Sequence, residues 1–296
     1  MHIITSADIS ALFQDYSIEV TPKTLAKLGN LNLYLPKGKR VFVTFLANAE
    51  LEDTLWACEQ LEQQGYIAVP HLAARHLRSE QDWLRALRYV REHSGEALFL
   101  AGGGDHIRGA YRDTFDFMNQ SALAEAGLAR YIFAGHPEGN GDVGAQAVAL
   151  AEERKWQWAQ QHGVKSALMT QFVFQATPVV AWAKRLEERG LHFPLYIGIP
   201  GVAGLGALIK HAQLCGIGVS MGFLLKQRAK MMNMLSLQKP NHLIYQLALA
   251  KKQGLLPHFS RLHFYPLGGL VETVHWIQAI EQGQFEVSDK GLITYD

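Results

Sequence analysis

Residues 97–106 read ALFLAGGGDH, an apolar run that stops in three glycines and an acid. Two folds explain such a run. In a doubly wound nucleotide-binding sheet the glycines would cradle a phosphate. In a barrel they would form the rim where a strand leaves the core. The phosphate fingerprints are missing: no G-x-G-x-x-G opens a helix here, and no Gly-Lys-Ser/Thr follows. The decision therefore falls to the runs on either side.

Seven further runs resemble this one. They are SIEV (17–20), VFVTFL (41–46), AVPHLA (68–73), RYIFAG (130–135), ALMTQFVF (167–174), PLYIGIPG (194–201) and LHFYPLG (262–268). Each is short, rich in β-branched or aromatic residues, and ended by Gly, Pro or a polar residue, as buried strands are. Helical periodicity fills the gaps between them. In residues 51–65, Leu51, Leu55, Cys58 and Leu61 share a face. In residues 79–95, Ser79 is the expected N-cap and Trp83, Leu84, Leu87 and Val90 are expected to point inward. In residues 177–190, Thr177 is the expected cap, Pro178 sits in the first turn and Gly190 is the stop. Extra helical material is expected between the seventh and eighth strands, at about residues 219–254. Eight strands alternating with helices predict an α/β fold, a (β/α)8 TIM barrel, as one domain over residues 1–296. The open doubly wound sheet is the competitor, because it uses the same βα units.

Composition narrows the function. The chain has 296 residues, 48% of them apolar, enough for a large core. Lys plus Arg (28) balance Asp plus Glu (27), and no basic run or face marks a nucleic-acid partner. Cys58 and Cys215 lie far apart, and the histidines show no metal spacing, so neither a disulfide framework nor a metal is expected. No run reaches the roughly 18 apolar residues of a membrane span. The opening MHIITSADIS lacks the features of a secretion signal, so a cytoplasmic protein is expected.

Barrel chemistry sits at the C-terminal ends of the strands. On this reading strand one offers Glu19, strand two Thr44, strand three His71, and strand four the glycines and Asp105. Strand five offers His136 and Glu138, strand six Thr170 and Gln171, strand eight His263 and Tyr265. Each has a plain structural alternative. Asp105 alone would cap a helix starting near Ile107. His71 and Gln171 alone would be hydrogen-bonded core groups. The sequence HPEGN (136–140) alone would be a turn. The set carries the functional reading, because polar groups in apolar strands are costly unless paired or used. There is no Gly-x-Ser-x-Gly elbow and no H-E-x-x-H. An organic cofactor or acid–base chemistry is expected, with a glutamate in a barrel mouth raised in pKa by desolvation and able to donate a proton near neutral pH.

These runs, in this order, resemble the methylenetetrahydrofolate reductase family. Its members carry F-E-F-F-P-P on strand one, V-T on strand two, P-H-L on strand three, R-G-D on strand four and Y-P-E on strand five. They continue with T-Q-x-x-F-D, P-G-I-x-P and H-F-Y-T-L-N on strands six to eight. The matching stretches here are SIEVTPK, VFVTFLAN, AVPHL, GGD, AGHPEG, MTQFVFQ, PLYIGIPG and LHFYPLG.

The resemblance implies NAD(P)H-dependent reduction of 5,10-methylenetetrahydrofolate to 5-methyltetrahydrofolate. It makes Glu19 the general acid that opens the folate's five-membered ring. Asp105 would contact the pterin and influence the flavin, and Gln171 would bind folate, with Tyr265 on the substrate side. Thr44 and His71 would line an FAD site, Gly103 and His136 stand in the slots of the family's Arg and Tyr, and Arg154 and Lys155 are the available groups for the FAD pyrophosphate.

The departures matter: Gly103 and His136 replace those two residues, Gln175 replaces an acid, and LHFYPLG lacks the final Asn. Two versions stay open, one with FAD and one in which hydride passes directly from nicotinamide to folate. So do two other functions, a folate-dependent demethylase or transferase on the same barrel and a non-catalytic folate- or flavin-binding subunit. The Met-rich stretch at 221–237 reads as core, cofactor mouth or subunit contact, which leaves a homo-oligomer open.

Overall fold

A computed structural model describes residues 3–47, 49–102, 107–140, 143–214, 237–288 and 291–294. Eight strands close into a barrel: β1 (Ser17–Val20), β2 (Arg40–Val43), β3 (Ile67–Ala73), β4 (Glu96–Leu100), β5 (Arg130–Gly135), β6 (Ser166–Phe172), β7 (Leu195–Pro200) and β10 (Phe259–Tyr265). The order around the barrel is β1-β10-β7-β6-β5-β4-β3-β2, and the registered neighbours are parallel. This is the (β/α)8 architecture, and each strand overlaps one of the eight apolar runs. The remaining strands form two small antiparallel pairs: β8 (Ala203–Gly204) with β9 (Leu237–Gln238), and β11 (Phe285–Ser288) with β12 (Gly291–Thr294). Among the described residues no helix is long and apolar enough to cross a membrane.

The chain falls into two compact units, Ser17–Ala134 with Glu152–Met169, and Met1–Tyr16 with Gly135–Ala151 and Thr170–Asp296. In the first unit, α3 (Leu51–Gln63) and α4 (Glu80–Glu92) cover the early strands. Ser79 caps α4 by accepting from the Asp82 amide. Trp83, Ala86, Leu87 and Val90 are its buried face, and Trp83 stacks on Phe117 with centroids 4.3 Å apart. Leu84, expected inside, is instead 41% exposed. Position 84 follows Trp83 by one residue, about 100° around the helix, and Ala86, three on from Trp83, takes the inward place. The plain alternative of a helix starting near Ile107 does not hold, since residues 107–113 are not helical. Helix α5 (Thr114–Met118) begins later, capped by Asp113, whose side chain accepts from the Phe115 and Asp116 amides.

In the second unit, α1 (Ser6–Phe13) packs its Phe13 against Phe264 and Trp276, at 5.8 and 5.7 Å between centroids. Helix α8 (Ala176–Glu188) starts two residues earlier than expected. Its N-cap is Gln175, so Thr177 and Pro178 lie in the first turn, where a missing proline N–H costs nothing. Gly190 follows the helix with φ +68°, as a stop residue should. Between β7 and β10 the described helices are α9 (Leu205–Leu214) and α10 (Asn241–Lys252). Residues 215–236, with Cys215 and most of the Met-rich stretch, lie outside the described residues. Gly198 lets β7 close on β6: a Cβ there would sit 2.4 Å from the Gln171 carbonyl oxygen.

Candidate active-site residues at the strand ends

Strand periodicity assembles the first group. Glu19 pairs in register with Phe42, and Phe42 with Val69. Successive side chains alternate faces, so Thr44 and His71, each two residues on, share the face of Glu19. The Thr44 hydroxyl donates to Glu19 Oε1 at 2.6 Å and lies 3.3 Å from the Val20 carbonyl oxygen. His71 Nε2 stands 3.6 Å from Glu19 Oε2, beyond a hydrogen bond but close enough for charge to act. Glu19 keeps 15% of its side chain exposed and His71 7%, so both groups are largely withdrawn from water. His71 also meets the edge of the Phe42 ring, 6.2 Å between centroids.

The same unit holds His76, which no motif in the sequence singles out. Its Nδ1 is 2.9 Å from the Phe45 carbonyl oxygen, and its ring meets the Phe45 ring at 5.4 Å. A cavity of about 250 Å³ is lined by Phe45, Glu50, His76, Arg78, Ser79 and Asp82, among others. Glu50 is held by both Arg78 and Arg108, the latter at 2.9 Å. The only sequence signal for His76 is its place three residues beyond the end of a strand.

The first glycine of the opening stretch has its explanation here. Gly102 has φ +96°, and a Cβ on it would come within 2.9 Å of His76 Nε2. It turns the chain out of β4 against that imidazole. Gly103 and Asp105 lie outside the described residues.

The other unit holds the second group. Gln171 is exposed near the end of β6, not in the core as its plain structural alternative had it. Thr170 beside it is fully buried; its Oγ1 accepts from the Gly198 amide at 2.8 Å and donates to the Gln171 carbonyl at 2.7 Å. The Tyr265 hydroxyl donates to the Thr170 carbonyl at 2.9 Å, which ties β10 to β6, and the buried His263 ring lies 4.6 Å from the Tyr265 ring. His136 is half-buried at the start of a turn in which the Gly139 amide donates to its carbonyl at 3.0 Å.

The two basic candidates sit on α7 (Ala145–Gln161). Lys155 is buried, and its ammonium donates to the Ala134 carbonyl at 2.8 Å. Burial pulls its pKa down to about 8 against the opposing charges of Glu152 and Asp113. The Arg154 guanidinium lies over the Phe115 ring, 3.7 Å from its centroid.

What the strand ends can do chemically is move a proton: a carboxylate, a hydroxyl and an imidazole meet on one wall. The sequence matches no protein-family model. The fold is similar to that of an uncharacterized protein from Clostridium thermocellum that binds two copies of 5-methyl-5,6,7,8-tetrahydrofolic acid. That likeness has a TM-score of 0.58 at 11% identity and covers 94% of this chain and 98% of that one. Dihydropteroate synthase from Thermus thermophilus aligns over 91% of this chain and 95% of its own, at 12% identity and a TM-score of 0.45. At such identities the likeness is one of fold, and the chain is a (β/α)8 barrel.

Proposed function

We propose that this chain is a folate-dependent one-carbon enzyme that reduces 5,10-methylenetetrahydrofolate to 5-methyltetrahydrofolate, with Glu19 as the general acid. The observation that carries this reading is the Glu19 carboxylate at the C-terminal end of β1, bonded to Thr44 at 2.6 Å and facing His71 at 3.6 Å. The motif resemblance supports it, and the folate bound by the Clostridium thermocellum barrel points to the same ligand class.

The arrangement suits both protonation states of Glu19. When Glu19 is ionised, Thr44 donates to it. When Glu19 carries a proton, the Thr44 hydroxyl turns to the Val20 carbonyl and accepts from the acid instead. Glu19 gives its proton to the folate nitrogen that leaves the methylene bridge, and that C–N bond breaks. A reduced nicotinamide supplies the hydride that the iminium carbon then takes. His71 returns a proton to the ionised carboxylate.

The two basic candidates on α7 offer an FAD pyrophosphate little. Lys155 has its ammonium on the Ala134 carbonyl inside the protein, and the Arg154 guanidinium lies over the Phe115 ring. Hydride transfer is therefore proposed without a flavin step. A second reading, a folate-binding subunit or a transferase, is favoured by the binding of methylated folate by the similar barrel.

Anaerobic oxidation of NADH and NADPH with methylenetetrahydrofolate, with and without added FAD, separates these readings. Methyltetrahydrofolate formed by flavin-free protein is the expected result. Glu19→Gln is expected to cut turnover by about 10²–10⁴-fold while calorimetry finds folate binding retained. Binding without turnover in the wild type sinks the reductase and leaves the second reading.

A further inference from the structure

A second constellation stands at the other end of β10 from Tyr265. Glu187 lies in the last turn of α8, His192 in the loop before β7, and His258 directly before β10. His258 Nε2 donates to Glu187 Oε2 at 2.7 Å, and His192 Nε2 lies 3.8 Å from Glu187 Oε1. The two imidazoles stack with centroids 5.0 Å apart and planes 26° from parallel. One donor atom from each residue lies within 4.8 Å of the other two. The backbone beneath is fixed, because the Leu195 amide donates to the His258 carbonyl at 2.8 Å and sets β7 against β10.

We propose that Glu187, His192 and His258 bind a transition-metal ion of the zinc class. Two imidazole nitrogens and one carboxylate oxygen are the donor set such an ion takes, with water in the fourth position. Calcium and magnesium prefer oxygen donors throughout, so two imidazoles select against them. Ligand atoms around a tetrahedral zinc lie about 3.3 Å apart, given bonds of about 2.0–2.2 Å. The observed spacings bracket that value. The side chains of Glu187, His192 and His258 are 47%, 51% and 31% exposed, so modest rotations close the set and the ion enters from solvent. No spacing motif announces the site, because His258 reaches Glu187 and His192 from far along the chain. A bound ion would link the end of α8, the α8–β7 loop and the start of β10, and would stabilise the folded state by mass action.

The test uses untagged full-length protein stripped with a chelator. Isothermal titration with Zn²⁺ is expected to give one site of micromolar or tighter affinity. Co²⁺ is expected to give the visible absorption of a tetrahedral site, and Zn²⁺, unlike Ca²⁺, to raise the Tm as its concentration increases. His192→Ala and His258→Ala should each weaken Zn²⁺ binding at least about tenfold, and Glu187→Gln should weaken it less. His93→Ala, a histidine elsewhere paired with Glu62, should leave it unchanged. Binding that survives the His192→Ala/His258→Ala double variant, or no binding by the wild type below millimolar Zn²⁺, overturns the proposal.

Discussion

Gly102 shows how one residue type can be demanded twice at one position. Its φ of +96° disfavours any L side chain, and the His76 ring occupies the space a Cβ would fill. Gly102→Ala is expected to destabilise the protein by roughly 1–3 kcal/mol, more than the sub-kilocalorie effect of a tolerated Gly→Ala change, as read by urea unfolding. Gly127, with φ +62° and no atom within 4 Å of a built Cβ, serves as the control for backbone strain alone. The polar residues of the strand ends were legible from the sequence one at a time: Glu19, Thr44, His71 and Gln171 each interrupt an apolar run. Their grouping was not, because it depends on which strands pair and in what register. His76 and the cluster of Glu187, His192 and His258 left no such mark, since each belongs to a helix or loop whose polar residues are ordinary.

At the scale of the element, α4 separates residues that composition treats alike. Trp83 is fully buried and stacked on Phe117, whereas the adjacent Leu84 is 41% exposed. Trp83→Ala is expected to cost about 3–5 kcal/mol through lost transfer energy and a cavity. Leu84→Ala should stay within about 0.5 kcal/mol. Paired denaturation curves for the two variants check both, and equal losses would place the helix face wrongly. Strand existence was legible because each strand is an unbroken apolar run bounded by punctuating residues. Helix starts were less so. Gln175 caps α8 although Thr177 is the better capping type, because β6 ends where it does and the chain turns there. The next described helix after β4 starts at Thr114 and is capped by the Asp113 carboxylate.

Lys155 couples one buried charge to the stability of the whole molecule. Its pKa of about 8 in the folded chain lies below the ordinary lysine value of 10.5. Below pH 8 the lysine is charged in both states, and burying that charge opposes folding in full, by about 3 kcal/mol at 1.36 kcal/mol per pKa unit. Between about pH 8 and 10.5 the unfolded chain holds more protons than the folded one, so this penalty is relieved as pH rises. The stability difference between wild type and Lys155→Met, from urea unfolding at pH 7 to 10, is expected to shift in favour of the wild type as pH rises. A difference that stays flat with pH would mean the ammonium keeps its ordinary pKa inside the fold. Using the difference cancels other titrations, such as Tyr66, whose burial raises its pKa to about 12.

The sequence by itself determined the number of barrel strands, their order and the polar residues that end them. Those are local properties: apolar runs, turn residues and helical periods are written in consecutive residues. Tertiary structure alone decided that Thr44 and His71 face Glu19, that Lys155 turns its ammonium to the Ala134 carbonyl, and that His258 meets Glu187. Each is a contact between residues distant in the chain. Register, barrel closure and the competition of a buried charge for a partner settle such contacts, and no window of sequence contains them.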